Sequence, residues 1–307
     1  MRYAITGATG WLGRAATEVV ASQMSDSDRA DHLLLFASCE QQLVLDDGQA
    51  VPVHPLIALP DMQFDVLLHY AYVTRERFAD HGLGDYLAAN LGISAIALRA
   101  IRAQRPRAVV LASSGAAAAA EGGLTTVAGD PYGHLKVFDE LAFRQAAADV
   151  GARRLILRVY NVSGRWIAKP DTFVLSDFIR QALTDGRIIV RASHPVRRSY
   201  IDVEDLAAVA TAFAVSSGAP DDLLVGTAGD RVVEVGELAD MVATECGLQS
   251  PEIERTWDPS APADDYFDAS SGFRDLARAL GVPVAGLAEQ VARTARFLAL
   301  GTLPRQV

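Results

Sequence analysis

The residues Thr6-Gly7-Ala8-Thr9-Gly10-Trp11-Leu12-Gly13 stand between a short apolar run, 3–5, and an amphipathic segment, 14–21. A strand, a glycine-rich turn and a helix in this order are typical of a dinucleotide-binding fold. There the first glycine permits a tight turn, the second admits a pyrophosphate to the backbone, and the third lets the helix pack on the strand. The stretch therefore predicts a dinucleotide site, although three glycines would also suit an ordinary tight turn.

Composition limits the classes of function. The 307 residues include 28 basic and 38 acidic side chains, for a net charge of -10. An acidic surface disfavours nucleic acid and anionic membranes as partners. No leader-like segment precedes the first strand and no apolar run is long enough to span a bilayer, so we expect a cytoplasmic protein with no membrane partner. Cys39 and Cys246 lack metal-type spacing; we expect two free thiols and no metal site.

Strands and helices alternate over the first 160 residues. Residues 23–31 are polar and predict a loop, whereas Asp130 and Pro131 are a typical N-cap and first helical residue. Such alternation predicts a doubly wound parallel sheet. The further predicted strands are 32–36, 51–59, 64–71, 108–112 and 154–159, and the predicted helices are 83–103 and 130–150.

The pattern changes after Gly164. We predict an α/β protein whose Rossmann-type sheet occupies 1–162, with 198–222 returning to it. A smaller, interleaved α+β lobe, which binds substrate, is predicted over 163–197 and 223–307. The predicted elements beyond Gly164 are helices over 172–183, 235–246 and 276–300, a strand over 188–190, and a strand followed by a helix over 199–214.

The second predicted strand bears on the cofactor. A fold that prefers NAD usually places an acidic side chain on the adenosine ribose at this point. Here the corresponding residues are Ala37 and Ser38, and no arginine is adjacent to them. The cofactor is therefore predicted to be NAD or NADP, with both open.

A tyrosine and a lysine on one helix are the candidate catalytic groups. Tyr132 and Lys136 are four residues apart, so their side chains share a face. An ammonium beside a phenol stabilises the phenolate and lets tyrosine act as an acid or base near neutral pH. The alternative is a surface lysine beside a half-buried tyrosine. Ser114, at the end of a strand, could hold a substrate hydroxyl or carbonyl, although serine there is often only a turn residue.

Taken together, these features resemble the extended short-chain dehydrogenase/reductase family, which includes nucleotide-sugar epimerases, dehydratases and ketoreductases. The resemblance covers essentially the whole chain. It rests on TGATGWLG at 6–13, Ser113-Ser114, Tyr132-Gly-His-Leu-Lys136, Arg158-Val-Tyr-Asn-Val162 and Arg198-Ser-Tyr-Ile-Asp-Val-Glu-Asp-Leu206.

The resemblance implies a role for each of these residues. Tyr132 would be the catalytic acid/base, Lys136 would hold the nicotinamide ribose, and Ser114 would contact the reacting hydroxyl. Asn161 would contact the substrate's diphosphate. Arg198 would clamp the pyrophosphate of a nucleotide sugar, since a guanidinium suits phosphate oxygens; its alternative is an exposed arginine at the start of a strand.

The resemblance also implies a cofactor site and a homodimer. The dimer would be built from the helices near 83–103 and 132–150. The residues implied in cofactor binding are Gly7, Gly10, Trp11, Leu12, Gly13, Ala37, Ser38, Tyr70, Ala71, Tyr72, Tyr132 and Lys136.

One departure from the family pattern narrows the reaction. Nucleotide-sugar 4,6-dehydratases carry an acidic residue directly after the serine or threonine of the catalytic set, and Gly115 and Ala116 stand there. We therefore do not expect a dehydratase.

Because Asn161 and Arg198 match the epimerases of the family and no special reductase residues appear, we expect an NAD(P)-dependent nucleotide-sugar epimerase acting at a sugar carbon, C4. The alternative is an NADPH-dependent 4-ketoreductase. A non-catalytic NADP-sensing regulator is a third candidate, which an intact Ser114, Tyr132 and Lys136 argue against.

Overall fold

The computed structural model describes residues 1–248 and 252–302. Contacts divide the chain into two compact units. The first unit contains 1–159, 207–226 and 279–282, and the second contains 160–206, 227–278 and the described residues from 283 onward. The sequence predicted 1–162 and 198–222 for the first unit; by contacts the returning segment runs from 207 to 226, and 279–282 also belongs to this unit.

The elements are numbered in chain order. Short 3-10 helices occur at Leu56–Asp61, Arg75–Arg77 and Pro170–Thr172. The strands are β1 Tyr3–Thr6, β2 Leu33–Ala37, β3 Gln41–Val44, β4 Ala50–Pro55, β5 Val66–His69, β6 Ala108–Ser114, β7 Arg153–Val159, β8 Asn161–Ser163, β9 Arg187–Ile189, β10 Val196–Arg198, β11 Tyr200–Asp202, β12 Asp222–Gly226, β13 Val233–Glu234, β14 Glu252–Glu254 and β15 Asp264–Tyr266. The helices are α1 Trp11–Ala21, α2 Asp26–His32, α3 Phe78–Gln104, α4 Gly115–Glu121, α5 Pro131–Asp149, α6 Val174–Asp185, α7 Val203–Val215, α8 Val235–Glu245, α9 Gly272–Ala279 and α10 Leu287–Thr302.

The first unit is built on one sheet. Among the described residues it has eight strands in the order β12-β7-β6-β5-β1-β2-β4-β3, parallel except for β3, which runs antiparallel to β4. From β1 the chain moves to β2 on one side, and from β5 it moves to β6 on the other. The doubly wound prediction is therefore confirmed. The carboxyl ends of β1 and β5 meet at the reversal point, where ligands of such sheets bind.

The core of the first unit explains why its strands are apolar throughout. The residues of β2 are all buried, as expected for a parallel strand covered on both faces. Leu67 and Leu111 from the sheet share one cluster with Ile101 of α3 and Phe143 of α5. Fully burying such side chains contributes roughly 1.5–3 kcal/mol each. This packing fixes the two helices that carry much of the site.

Two segments differ from the sequence prediction. In one a serine caps an unpredicted helix, and in the other a strand ends early at a proline. The polar segment 23–31 was predicted to be a loop, but α2 forms there, with the Ser25 hydroxyl accepting a hydrogen bond from the Asp28 amide. The strand predicted over 51–59 ends at Pro55 and continues as a 3-10 helix. Leu56 and Leu59 are buried by that turn of helix rather than by the sheet.

Two further helices were also missed or merged. The alanine-rich segment after Ser114, for which no helix is among the predicted elements, begins with α4. The single helix predicted over 276–300 is instead α9 and α10. Gly281, at a φ of 69°, and the nearby Pro283 separate them, because neither conformation continues an α-helix.

The second unit packs helices on short strands. Residues of α6, α8 and α10, including Phe178, Leu238 and Val291, form its apolar cluster. In the part of the chain described, its strands form the sheet β13-β10-β15 and the pairs β11-β8 and β14-β9.

Both cysteines are free thiols, as predicted. Of the helices described, none is long and apolar enough to cross a bilayer.

Candidate active site

The glycine-rich turn follows β1 and needs its glycines for steric reasons. Gly7 has a φ of +67°, and a Cβ there would lie 2.8 Å from the Ala71 amide nitrogen. A Cβ on Gly13 would lie 2.1 Å from the Gly7 carbonyl oxygen. The turn is therefore pressed between helix α1 and the segment that follows β5, and larger residues do not fit at either position.

The start of α1 suits an anion. Gly10 is its N-cap and offers no side chain to the first-turn amides. The Gly10 amide itself donates to the Gly7 carbonyl at 2.8 Å, which closes the turn. An N-terminus without a side-chain cap presents backbone N–H groups and the positive end of the helix dipole. The residues present thus fit the pyrophosphate of a dinucleotide.

A buried threonine joins the turn to the end of β5. The Thr6 hydroxyl accepts hydrogen bonds from the amides of Tyr70 and Ala71, both at 3.2 Å, and lies 2.8 Å from His69 Nδ1. The Thr6 hydroxyl therefore donates its own hydrogen to His69 Nδ1. The His69 imidazole is thus neutral and carries its proton on Nε2. Burial, with a smaller contribution from the charge of Lys136, lowers the pKa of His69 to about 3. His69 is therefore a fixed structural group and not a proton carrier.

Ser114 and Tyr132 lie at the same end of the sheet. Ser114 ends β6, is 5% exposed, and caps α4 by accepting a hydrogen bond from the Ala116 amide at 3.2 Å. Gly133 lies in the first turn of α5, where a Cβ would be 2.7 Å from the Ala116 carbonyl oxygen. The start of α5, which carries Tyr132, therefore packs closely against the first turn of α4, which Ser114 caps.

Helix α5 begins as predicted. Asp130 is its N-cap and accepts a hydrogen bond from the Gly133 amide at 3.2 Å, and Pro131 occupies the first turn. Lys136, one turn further on, is only 4% exposed, and its Nζ donates to the Ala112 carbonyl oxygen at 2.9 Å. The alternative of a solvated surface lysine is therefore wrong.

The charge of Lys136 is held close to Tyr132. Its Nζ lies 5.9 Å from the centroid of the Tyr132 ring. Burial lowers the pKa of Lys136 to about 8, while the neighbouring carboxylates of Asp139 and Glu140 act in the opposite direction. The ammonium therefore persists at neutral pH, beside the phenol on which it can act.

The sequence named Tyr72 only as a cofactor-binding residue and did not name Asn90, yet both belong to the surroundings of the candidate pair Tyr132 and Lys136. The Tyr72 ring covers the Lys136 ammonium, with 3.5 Å between Nζ and the ring centroid. Asn90 of α3 is 1% exposed; its Oδ1 accepts from the Val73 amide at 2.9 Å and its Nδ2 donates to the Val73 carbonyl at 3.3 Å. A polar residue at an apolar position of a helix was the signal that could have identified Asn90. No sequence pattern within one element predicts that the Tyr72 ring stacks on Lys136.

The residues predicted to bind substrate lie in the second unit, apart from Ser114. Asn161 donates from Nδ2 to the carbonyl oxygens of Ser199, at 3.1 Å, and Tyr266, at 2.9 Å. The Arg198 guanidinium donates to the carboxylate and the carbonyl of Asp264, both at 2.8 Å. The sequence did not predict that the Asp264 carboxylate pairs with Arg198. Diphosphate binding by Asn161 and Arg198 remains a prediction.

The residues at the end of β2, where the adenosine ribose of a dinucleotide would lie, do not select between NAD and NADP. Ala37 is the buried last residue of the strand and Ser38 is exposed beyond it. The Ala8 amide donates to the Phe36 carbonyl at 3.1 Å, which places the glycine-rich turn beside these residues. The position fits either nicotinamide dinucleotide.

Comparison with known families decides the class. The family model described as "NAD dependent epimerase/dehydratase family" matches residues 3–226, which contain the glycine-rich turn and Ser114, Tyr132 and Lys136. The chain belongs to this family. It is therefore an enzyme of the extended short-chain dehydrogenase/reductase type, as the sequence motifs predicted. A search of curated protein sequences finds no match.

Solved structures of this family share the fold over nearly their whole length. A UDP-N-acetylglucosamine 4-epimerase from Methanobrevibacter ruminantium M1, in complex with UDP-N-acetylmuramic acid, is 15% identical, with 98% of this chain and 99% of that chain covered and a TM-score of 0.74. A UDP-glucose 4-epimerase from Brucella ovis, in complex with NAD, is 19% identical, with 96% and 98% covered and a TM-score of 0.73. The NAD-dependent NDP-hexosamine 5,6-dehydratase TunA is 18% identical, with 97% and 98% covered and a TM-score of 0.70. At these identities the likeness shows the fold, which in this family carries more than one reaction.

Proposed function

We propose that this enzyme is an NAD(P)-dependent epimerase of nucleotide-linked sugars, acting by transient hydride transfer at a sugar carbon, C4. The observation that carries the proposal is the position of buried Lys136, whose Nζ bonds to the Ala112 carbonyl in β6, the strand that ends at Ser114, and lies 5.9 Å from the centroid of the Tyr132 ring. The glycine-rich turn lies at the same edge of the sheet, after β1. A dinucleotide held at this edge would place its reactive ring near the tyrosine.

Each side chain of the set has a role in proton transfer. The bound nicotinamide supplies hydride transfer. The Tyr132 phenol takes the proton from the sugar hydroxyl and returns it, and the Lys136 ammonium favours the phenolate form. Among the described residues the Lys136 ammonium donates a hydrogen bond to Ala112 and faces the Tyr72 ring, so its remaining N–H would serve a ribose hydroxyl. The Ser114 hydroxyl orients the reacting oxygen.

The substrate class rests on family likeness and on one arginine. Two related proteins are named for action on UDP-linked sugars, and one is solved with UDP-N-acetylmuramic acid. Arg198 would hold the diphosphate by exchanging its bond to the Asp264 carboxylate for bonds to phosphate oxygens. Asn161 keeps its Oδ1 for a hydroxyl or amide of the substrate, because its Nδ2 is committed to backbone.

A 4-ketoreductase that draws NADPH from solution is the second candidate. It is favoured by Ala37 and Ser38, which stand where NAD-preferring folds usually place an acid. A regulator that senses NADP without turnover could use Lys136 to hold the ribose but would have no use for Ser114 and Tyr132 as a proton-transfer pair beside it.

Retention of the cofactor tests the proposal. An epimerase is expected to release about one NAD per chain on denaturation, because its hydride must return to the same sugar before the cofactor leaves. The freshly purified enzyme would be examined by its absorbance spectrum and by mass analysis of released small molecules. Conversion of UDP-glucose and of UDP-N-acetylglucosamine would be followed by NMR. An empty enzyme stabilised preferentially by NADPH would indicate the ketoreductase, and binding of neither nucleotide would contradict both proposals.

The matched control is Tyr132→Phe. It removes only the phenolic hydroxyl, so NAD retention should persist while turnover falls by about 10²–10⁴-fold, the usual contribution of a positioned acid/base. Unchanged turnover in this variant would remove Tyr132 from the mechanism.

We also propose that two copies pair through α3 and α5. Phe138 and Leu141 lie three residues apart on one face of α5 and are 50% and 65% exposed. Leu91 of α3, which packs beside α5, is 41% exposed. A cluster of exposed large apolar side chains favours a self-complementary interface, and a second copy of the chain supplies an identical face.

Leu141→Asp should convert the dimer into a monomer. A charge in the centre of an apolar interface loses its hydration without gaining a partner. Sedimentation of the two proteins over a range of concentrations measures the change. Leu124→Asp is the control, because Leu124 is 81% exposed but lies in the loop after α4. A native chain that sediments as a monomer, or a dimer indifferent to Leu141→Asp, would refute this interface.

A further inference from the structure

We propose that Tyr72 is a positioning residue of the reaction, whose aromatic ring holds the Lys136 ammonium beside Tyr132. The role is defined relative to the function proposed above, but the contact itself can be tested without any substrate.

The geometry defines a closed site for the ammonium. Lys136 Nζ lies 3.5 Å from the centroid of the Tyr72 ring and 2.9 Å from the Ala112 carbonyl oxygen. The rings of Tyr72 and Tyr132 meet edge to face, with 5.6 Å between their centroids and 83° between their planes. A cation over an aromatic face is attracted by the ring quadrupole. The lysine is thus held between a backbone dipole and a ring that itself packs on the catalytic tyrosine.

The ring, not the hydroxyl, makes this contact. The Tyr72 hydroxyl is buried and has no hydrogen-bond partner within the described residues. A buried hydroxyl without a partner destabilises the folded state and does not anchor a side chain. Burial, followed by the nearby carboxylate of Asp139, raises the pKa of Tyr72 well above its ordinary value, so the ring stays neutral. Phenylalanine would therefore serve the same purpose at this position.

The backbone of Tyr72 is fixed on both sides. The preceding residue, Ala71, donates its amide hydrogen to the Thr6 hydroxyl. The following residue, Val73, is held through its amide and carbonyl by Asn90. A ring anchored in this way has little freedom to leave the lysine, which is what a preorganised site requires.

The groups around Lys136 show why the ring matters. On its own helix the carboxylates of Asp139 and Glu140 favour the ammonium, and burial opposes it. Two further neighbours of Lys136 belong to the sheet: His69 of β5, which is neutral, and the carbonyl group of Ala112 in β6. Helix α3 presents Ser94, whose hydroxyl donates to Asp139 at 2.6 Å. In a site where water is excluded, the Tyr72 face is a main replacement for the hydration that the ammonium has lost.

The chain offers a direct measurement, because Lys136 and Lys169 are its only lysines. Lysine labelled with ¹³C at Cε gives one resonance for each, and their titration reports the pKa of each amine. Tyr72→Phe should leave the Lys136 midpoint in place. Tyr72→Leu keeps the site apolar but removes the ring, so the midpoint should fall by about 0.4–1.5 pH units, the value of a cation–π contact. The resonance of Lys169, an exposed side chain, serves as the internal reference in all three proteins.

Tyr72→Met is a second ring-free variant, for use if circular dichroism shows that Tyr72→Leu does not fold. A Lys136 midpoint that is unchanged or raised without the ring, or lowered equally by Tyr72→Phe, overturns the proposal. If the enzyme turns over as proposed, the alkaline limb of kcat should move down by the same shift in the ring-free variants, since Lys136 must be protonated to act. The NMR result stands even if the proposed substrates are wrong.

Discussion

Gly13→Ala is expected to weaken dinucleotide binding at least about tenfold. The new Cβ would lie 2.1 Å from the Gly7 carbonyl oxygen, 2.6 Å from its carbon and 2.9 Å from Ala8 Cα. All three are backbone atoms, so α1 must move away from the turn instead of a side chain moving aside. Such overpacking destabilises by about 1–3 kcal/mol. It also displaces the amides that would face the pyrophosphate.

Calorimetric titration with NAD and thermal unfolding would measure the two effects. We expect NAD to bind at least about tenfold more weakly, equivalent to about 1.4 kcal/mol. Gly84→Ala is the matched control, because nothing lies within 4 Å of a Cβ at this position in α3. If Gly13→Ala binds NAD as tightly as the control, the turn is not the phosphate site.

Glu140→Ala should cause the largest loss of stability. Glu140 is 3% exposed and accepts hydrogen bonds from Arg158 Nε at 2.9 Å and Nη2 at 2.7 Å, and from the Ser113 hydroxyl. The network joins β6, α5 and β7 directly beneath Ser114 and Lys136. Removing its carboxylate leaves the Arg158 guanidinium, itself 9% exposed, with Glu121 as its remaining carboxylate partner. Breaking a buried pair in this way costs about 3–5 kcal/mol.

Urea unfolding followed by circular dichroism measures this cost. The control is Asp80→Asn, which removes an ion pair with Arg77 in which both side chains are more than half exposed. Exposed pairs contribute little, so the control should unfold close to the native protein. A loss in Glu140→Ala no larger than that in the control would show that the network does not stabilise the first unit.

The sequence predicted those parts of the fold that neighbouring residues decide. The glycine-rich turn is set by residues 6–13, and the start of α5 by Asp130 and Pro131. The wholly apolar β2 follows from its place inside a parallel sheet. The pairing of Tyr132 with Lys136 also depends only on helix periodicity.

The remainder depends on residues that are far apart in the chain. Tyr72 meets Lys136 across 64 positions, from 72 to 136, and Arg198 meets Asp264 across 66. No propensity or period within one element encodes such contacts, because they arise only when separate elements pack. Hence the candidate catalytic residues and Tyr72 itself could be named from the sequence, whereas the contact of the Tyr72 ring with Lys136 and that of the Asp264 carboxylate with Arg198 could not.

The position of β12 has a consequence for synthesis on the ribosome. Strand β7 is flanked by β6 and β12, and β12 begins 63 residues after β7 ends, at 222 against 159. Until that stretch emerges, β7 is an open edge of the nascent sheet, and its apolar run 155–157 is bordered by arginines that discourage wrong partners.

The same arginines later secure the correct partner. Arg153 donates to the Asp221 carboxylate at 2.9 Å, and Arg154 donates to that of Asp222 at 2.8 Å. We therefore expect this pair of arginines to limit aggregation of the growing chain before the pair bonds to the residues at the start of β12.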